Sequence, residues 1–142
     1  MSADAILSRL DRVRRTGVDR WIARCPAHDD RGPSLAIREL GDGRVLIHCF
    51  AGCDAHQIVS AVGLTFAELF PPRPAGSHTA KPERRPFPAL DVLRCIAREA
   101  VIVAVAAMQL GQGREIPATD RKRLLEASMR ISAAVELAEG AA

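Results

Sequence analysis

Four residues constrain this chain more than any others. Cys25 and His28 stand in Cys25-Pro26-Ala27-His28, Cys49 and Cys53 in Cys49-Phe50-Ala51-Gly52-Cys53, and twenty residues separate the two pairs. Thiols and an imidazole in short-spaced pairs around a longer insert are the sequence form of a closed tetrahedral metal site, for which Zn²⁺ is the usual occupant. Protein ligands fill every coordination position and leave none for water. Such a site contributes folding free energy, on the order of 10 kcal/mol, rather than Lewis-acid chemistry. Pro26 and Gly52 help the backbone turn inside each pair. The expectation is one structural Zn²⁺ held by Cys25, His28, Cys49 and Cys53 in a zinc ribbon.

The flanking residues fit a small α+β unit. Residues 21–24 read as a short strand entering the first pair, and residues 29–33 as a loop. Residues 34–39 and 44–48 alternate like strands, with Gly41-Asp42-Gly43 as the hairpin turn. Leu35, Ile37, Val45 and Ile47 share one apolar face, and Arg38 and Arg44 lie off it. Ahead of the ribbon, residues 4–15 predict an amphipathic helix: Ile6, Leu7, Leu10 and Val13 on one side, Arg9, Arg12, Arg14 and Arg15 on the other, with Gly17 as its stop. Behind it, Asp54 with Gln57 forms a capping box for a helix that buries Ile58, Val59 and Val62 and stops at Gly63. Thr65 with Glu68 repeats the box for a single turn that packs Phe66, Leu69 and Phe70 on the ribbon, and Pro71-Pro72 ends it.

Charge and proline then mark a change of character. Residues 1–70 hold nine Arg against nine Asp/Glu, and residues 90–142 hold seven Lys/Arg against seven Asp/Glu. The net charge of +3 therefore resides in residues 71–89, which also carry six of the nine prolines. Residues 71–88 read as an extended basic linker, either a solvated spacer or a tether for nucleic acid. Residues 89–110 predict a long helix, with Leu90, Val92, Leu93, Ile96, Ala97, Val101, Val105 and Met108 at helical spacing and every position from 100 to 108 apolar. After a turn, Thr119 caps a second helix whose stripe is Leu124, Ser128, Ile131, Val135 and Ala138. The predicted organisation is a helix and zinc ribbon over 1–70, a linker over 71–88, and an antiparallel helical hairpin over 89–142. A lone hairpin cannot bury an all-round apolar segment, so it is expected to pair with the ribbon, another copy or a partner protein.

Other candidates read as structural. His48 points to the strand face opposite Cys49, His56 lies on a first helical turn, Cys95 and Trp21 read as core, and Asp29-Asp30 as loop charge. Neither HExxH nor HxE, the signatures of hydrolytic and deaminase zinc sites, is present. The N-terminus lacks the apolar core of a signal peptide, and the longest apolar run of nine residues is too short to span a bilayer. A cytoplasmic protein with no membrane contact and with metal-bound rather than disulfide-bonded cysteines is expected.

Arg24-Cys25-Pro26-Ala27-His28, then Pro33-Ser34-Leu35, then His48-Cys49-Phe50 and Cys53, resembles the Cys-His-Cys-Cys zinc-binding domain of bacterial and phage DNA primases over roughly residues 20–71. The wider second pair looks like the variant in primase-like proteins of phages and mobile elements. The resemblance implies contact with single-stranded template DNA, falling on the ribbon face near Arg31, Arg38, Arg44 and Phe50. Family primases continue into a catalytic domain with metal-binding acidic residues, and nothing after residue 71 resembles one. The expectation is a non-enzymatic, single-stranded-DNA-binding accessory module of a replication or priming system. It would recruit a primase core or replicative helicase, or self-associate, through residues 89–139. The alternative is a zinc-stabilised protein–protein adaptor or inhibitor, of phage or mobile-element origin, that never touches DNA.

Overall fold

A four-stranded antiparallel sheet, buried on both faces, organises the molecule. The structure, a computed structural model, describes residues 2–69 and 86–140. Strands β1 (Arg14–Gly17), β2 (Arg20–Ala23), β3 (Leu35–Glu39) and β4 (Val45–Cys49) lie in chain order across the sheet. The turn predicted at Gly41-Asp42-Gly43 joins β3 to β4, with Gly43 at φ 82°, where a side chain would be strained. Asp42 accepts from the Arg44 backbone N–H at 3.1 Å across that turn.

Register explains the two faces. Ala23 pairs with Leu35 and Leu35 with Cys49, while Trp21 pairs with Ile37 and Ile37 with Ile47. These residues, with Val45, share one face. Helices α1 (Ser2–Leu7), α2 (Ala55–Ala61) and α3 (Phe66–Leu69) cover it through Ala3, Ile6, Ile58, Val59, Leu64 and Leu69. The intervening row, Ile22, Ala36 and His48, faces the other way, as does Leu46. Helices α4 (Ala89–Gly111) and α5 (Ala118–Glu139) close that side with Phe87, Val92, Cys95, Ile96 and Ala134. The helical hairpin thus packs on the ribbon, one of the three pairings its apolar surface allowed.

The Asp54/Gln57 capping box forms in full, and the Thr65/Glu68 one in half, since the Thr65 hydroxyl donates to Glu68 instead of accepting its N–H. Asp54 Oδ1 accepts from the His56 N–H at 2.7 Å and Gln57 Oε1 from the Asp54 N–H at 3.1 Å. Glu68 Oε2 accepts from the Thr65 N–H at 2.6 Å and the Thr65 hydroxyl at 2.8 Å. Phe66 stacks on His56 with ring centroids 4.1 Å apart. Phe70 and most of the predicted linker lie outside the described residues. Description resumes at Pro86, whose carbonyl accepts from Arg38 Nη1 at 2.9 Å, and Phe87 is buried.

Three expectations need correction. The helix expected over 4–15 ends at Leu7, and Arg14–Gly17 becomes the edge strand β1. Arg12 takes φ 52°, which no helix accommodates, and Arg9 Nη1 leaves the solvent face to donate to the Val62 and Gly63 carbonyls at 2.9 Å each, satisfying the end of α2. Helix α5 begins at Ala118 behind Pro117, and Thr119 makes no cap bond. The buried faces of α4 and α5 are also rotated from the apolar stripes. Of the predicted α5 stripe, Ile131 and Ala138 pack on the core but Ser128 and Val135 are exposed, and the most buried positions are Ala127 and Ala134, flanked by the half-buried Arg123 and Arg130. On α4 the inward row includes Glu99, while Leu90, Leu93, Val101, Val105 and Met108 are exposed. Glu99 accepts from Arg123 at 2.7 and 3.0 Å and from Arg130 at 3.0 Å. A buried ion-pair network, with small alanines that allow close helix approach, sets the phase of the hairpin.

Candidate metal centre and the cleft beside it

The sheet register assembles the four residues that could hold a metal ion. Ala23 and Cys49 both flank Leu35, so the end of β2 and the end of β4 meet at one edge, where Cys25 and Cys49 follow. Gly52, at φ 91°, donates to the Cys49 carbonyl at 3.0 Å and folds Cys53 back toward it. The ligand atoms of Cys25, His28, Cys49 and Cys53 all lie within 4.8 Å of one another. His28 Nδ1 faces the sulfurs, 3.2 Å from Cys53 Sγ and 3.9 Å from Cys49 Sγ. A tetrahedral ion with sulfur at about 2.3 Å and nitrogen at about 2.0 Å needs donor–donor edges of roughly 3.5–3.8 Å, so the group fits a metal ion with small adjustments. Cys25 and Cys49 are buried in the core, and His28 and Cys53 are half-buried.

Asp30 organises this site, although its sequence context marked it only as loop charge. Its Oδ2 accepts from the Cys25 N–H at 2.8 Å, the Ser34 hydroxyl at 2.6 Å and the Ser34 N–H at 3.3 Å, and its Oδ1 accepts from the Gly32 N–H at 3.2 Å. Oδ1 also lies 3.7 Å from His28 Nε2. At that distance the carboxylate is a close charge neighbour of the ring, on the side away from the sulfurs, rather than its hydrogen-bond acceptor. Adjacent Asp29 is exposed and reaches only Arg31, at 4.0 Å.

The sulfurs are electrostatically unequal. Cys49 is held down at about 4, first by the hydrogen bond from the Cys25 thiol, with N–H groups of Cys53 and Ala51 and the Ser34 hydroxyl adding to it against burial. Cys25 is pushed up by giving that hydrogen bond and by burial. Burial, then the charge on Cys49, pushes Cys53 up. The three thiols thus hold one another's ionisation apart, and a divalent cation at their centre would favour the thiolate form of each. His48 stays outside the group: it turns to the opposite face, 4.8 Å from the Phe50 ring, where burial lowers its pKa. Cys95 is buried under the hairpin, and burial pushes its thiol up to about 12.

Three of the four residues expected to contact DNA are engaged within the chain. Arg38 is bonded to Pro86, Arg44 is paired with Asp42 at 2.7 Å, and Phe50 is 6% exposed beneath α4, so its ring is not available to stack a base. Arg31 is well exposed beside the first ligand pair. Arg31 and Phe50 instead border a cleft of about 490 Å³ between the 28–34 loop and the helical hairpin. Arg94, Arg98, Arg123 and Arg130 enter it from α4 and α5, so five arginines face Asp29, Asp30 and Glu99. That leaves a formal excess of two positive charges, five minus three, before the metal centre's own charge. Arg94 is paired with Asp91, and Arg123 and Arg130 with Glu99. Arg98 is exposed and has no ion-pair partner among the described residues. Sequence reasoning missed the four helical arginines because they stand more than forty residues beyond Cys53, on helices whose formal charge is zero.

Among the described residues, no helix is long and apolar enough to cross a membrane. Comparison with protein-family models, curated proteins and solved structures finds no match to this chain, so its function has to be read from the four-ligand group and the cleft beside it.

Proposed function

We propose that this chain is a zinc-stabilised module that touches single-stranded nucleic acid weakly and serves a replication or priming system without chemistry of its own. The observation that carries it is the closed group of Cys25, His28, Cys49 and Cys53, braced by Asp30. Three sulfurs and one imidazole form a donor set that suits Zn²⁺, and full protein ligation makes the ion a folding element. The primase-like spacing of these ligands supports nucleic acid as the target. The arginines of the adjoining cleft support the same reading, because phosphate neutralisation needs cations beside the knuckle. The cleft's small charge excess argues for a weak contact that requires a catalytic or helicase partner.

A second reading is favoured by the covered sheet face. Arg38, Arg44 and Phe50 are already engaged within the chain, as a protein–protein adaptor would leave them.

The two separate in one experiment on the zinc-loaded chain. Fluorescence anisotropy with a single-stranded oligonucleotide should show binding that weakens with salt, at a log–log slope of about −1.5 to −2 for two or three phosphate contacts. Arg98→Ala and Arg31→Ala should each weaken it while leaving zinc content unchanged. Absence of binding at low salt by chain holding one zinc would establish the adaptor instead.

A further inference from the structure

The outward face of α4 is used by neither the metal centre nor, Ala97 at its border apart, the cleft. Leu90, Leu93, Val101 and Met108 are 56%, 59%, 60% and 65% exposed, and Val105 is 48% exposed. With Ala97 they follow one another at steps of three and four residues, which at 3.6 residues per turn places them along one side of the helix. That side lies opposite the inward row of Val92, Cys95, Ile96, Glu99 and Ala106. The stripe runs for about 27 Å, from residue 90 to residue 108 at 1.5 Å per residue. Ala100 and Ala104 fill the spaces between its larger members, and both are exposed. Arg94 stands at its edge, turned to Asp91, and Arg98 lies further round on the flank.

We propose that this face is covered by α4 of a second copy of the chain, packed antiparallel about a two-fold axis between Ala97 and Val101. The stripe is self-complementary when its direction is reversed. In that register Leu90 meets Met108 of the second copy, Leu93 meets Val105, and Ala97 meets Val101. Large residues pack at both ends, and the alanines between them let the helix axes approach. The isologous contact closes on itself, so it yields a dimer rather than a filament. Its extent also fits: a stripe of this length and exposure presents several hundred Å² of apolar surface, near the top of what a monomer leaves in water. That is the same order as the roughly 800 Å² per partner in a stable interface. The steps of three, four, four, four and three residues read the same in both directions, and rows of residues at such spacing are the ridges by which paired helices interdigitate.

The test uses the full, zinc-loaded chain. Sedimentation equilibrium should return twice the 15.3 kDa chain mass at micromolar concentration, dissociating on dilution. Val101→Glu places a charge in the middle of the stripe at a site already in water, so it should give a monomer with unchanged circular dichroism and zinc content. Register is read in the otherwise unchanged chain by mild oxidation. The double variant Leu90→Cys/Met108→Cys should form a covalent dimer, whereas each single variant should not, because like positions lie at opposite ends of the contact. Wild-type chain that stays monomeric at 100 times that concentration overturns the proposal, including when another protein captures the face. Crosslinking of both single variants overturns it equally, since that is the signature of parallel helices.

Discussion

Asp30 is the residue on which the metal group leans most. One carboxylate ties the Cys25 backbone, Gly32 and Ser34 to a single point and faces the far nitrogen of His28. Replacing it removes the carboxylate that faces the imidazole and leaves the Cys25 N–H, beside a buried ligand, without its acceptor. Asp30→Ala should weaken zinc binding about 10- to 100-fold, the range for loss of a partner behind a ligand. Competition with a chromophoric chelator measures this, and Asp29→Ala, which removes only an exposed carboxylate, should leave the affinity unchanged. Equal effects of the two substitutions would remove the special role of Asp30. Here the limit of sequence reading is instructive. The ligands were legible because thiol and imidazole spacing is itself the chemical signal, whereas Asp29 and Asp30 are alike in type and context. Only the path of the 28–34 loop decides which carboxylate turns inward.

At the level of elements, the same distinction governs the hairpin. Helices α4 and α5, their lengths and their antiparallel pairing follow from periodicity, but their rotation does not. Periodicity places apolar residues inside, and here a buried carboxylate claims the inward row. Burial by itself would raise the Glu99 carboxyl, yet hydrogen bonds from Arg123 and Arg130 outweigh it and hold the pKa below its ordinary 4.5. A carboxyl with a depressed folded-state pKa contributes stability above its unfolded value, and that contribution is lost as pH falls through the folded value. Hairpin stability should therefore be level from neutrality to about pH 5 and decline below about 4.5, the ordinary glutamate range. Glu99→Gln should flatten that decline and cost about 1–3 kcal/mol at pH 7, since it weakens charge-assisted bonds while keeping shape. Urea denaturation of both proteins across pH 3–7 measures the two effects together. A variant as stable as wild type at pH 7 would mean that alanine packing alone sets the phase of α5. The lost N-terminal helix has a comparable cause. Leu10 and Val13 fit helical spacing, but both also pack on the core from an irregular segment, and β1 gains ladder bonds to β2 that a solvated helix would forgo.

For the whole molecule, the question is whether metal centre and hairpin stand or fall together. The basic, proline-rich stretch after residue 70 reads as a separator, yet the sheet joins what it separates. Strands β2 and β3 send alternate residues to opposite cores: Ala23, Leu35 and Ile37 to the helices beside the metal group, Ile22 and Ala36 to the hairpin. Cys25 and Cys49 belong to the first core, and Phe50, next in chain to Cys49, belongs to the second. Zinc held by the four-residue group would contribute on the order of 10 kcal/mol, comparable to the whole stability of a domain, so its removal should dissolve the sheet. Without the sheet, Val92, Ile96 and Ala134 lose the floor they pack on, and the inward row of a two-helix hairpin has little apolar surface left to bury. Chelation should therefore abolish most of the helical circular dichroism, although α4 and α5 lie outside the ribbon, and zinc should restore it. The Val101→Glu variant, in which a paired α4 has no means of holding itself, is the stringent case. Hydrogen exchange gives the same answer by position, with amides in α4 and β3 losing protection at the same chelator concentration. Helices that keep their protection after the sheet has lost its own would show two independent units, with the segment between them acting as a true linker.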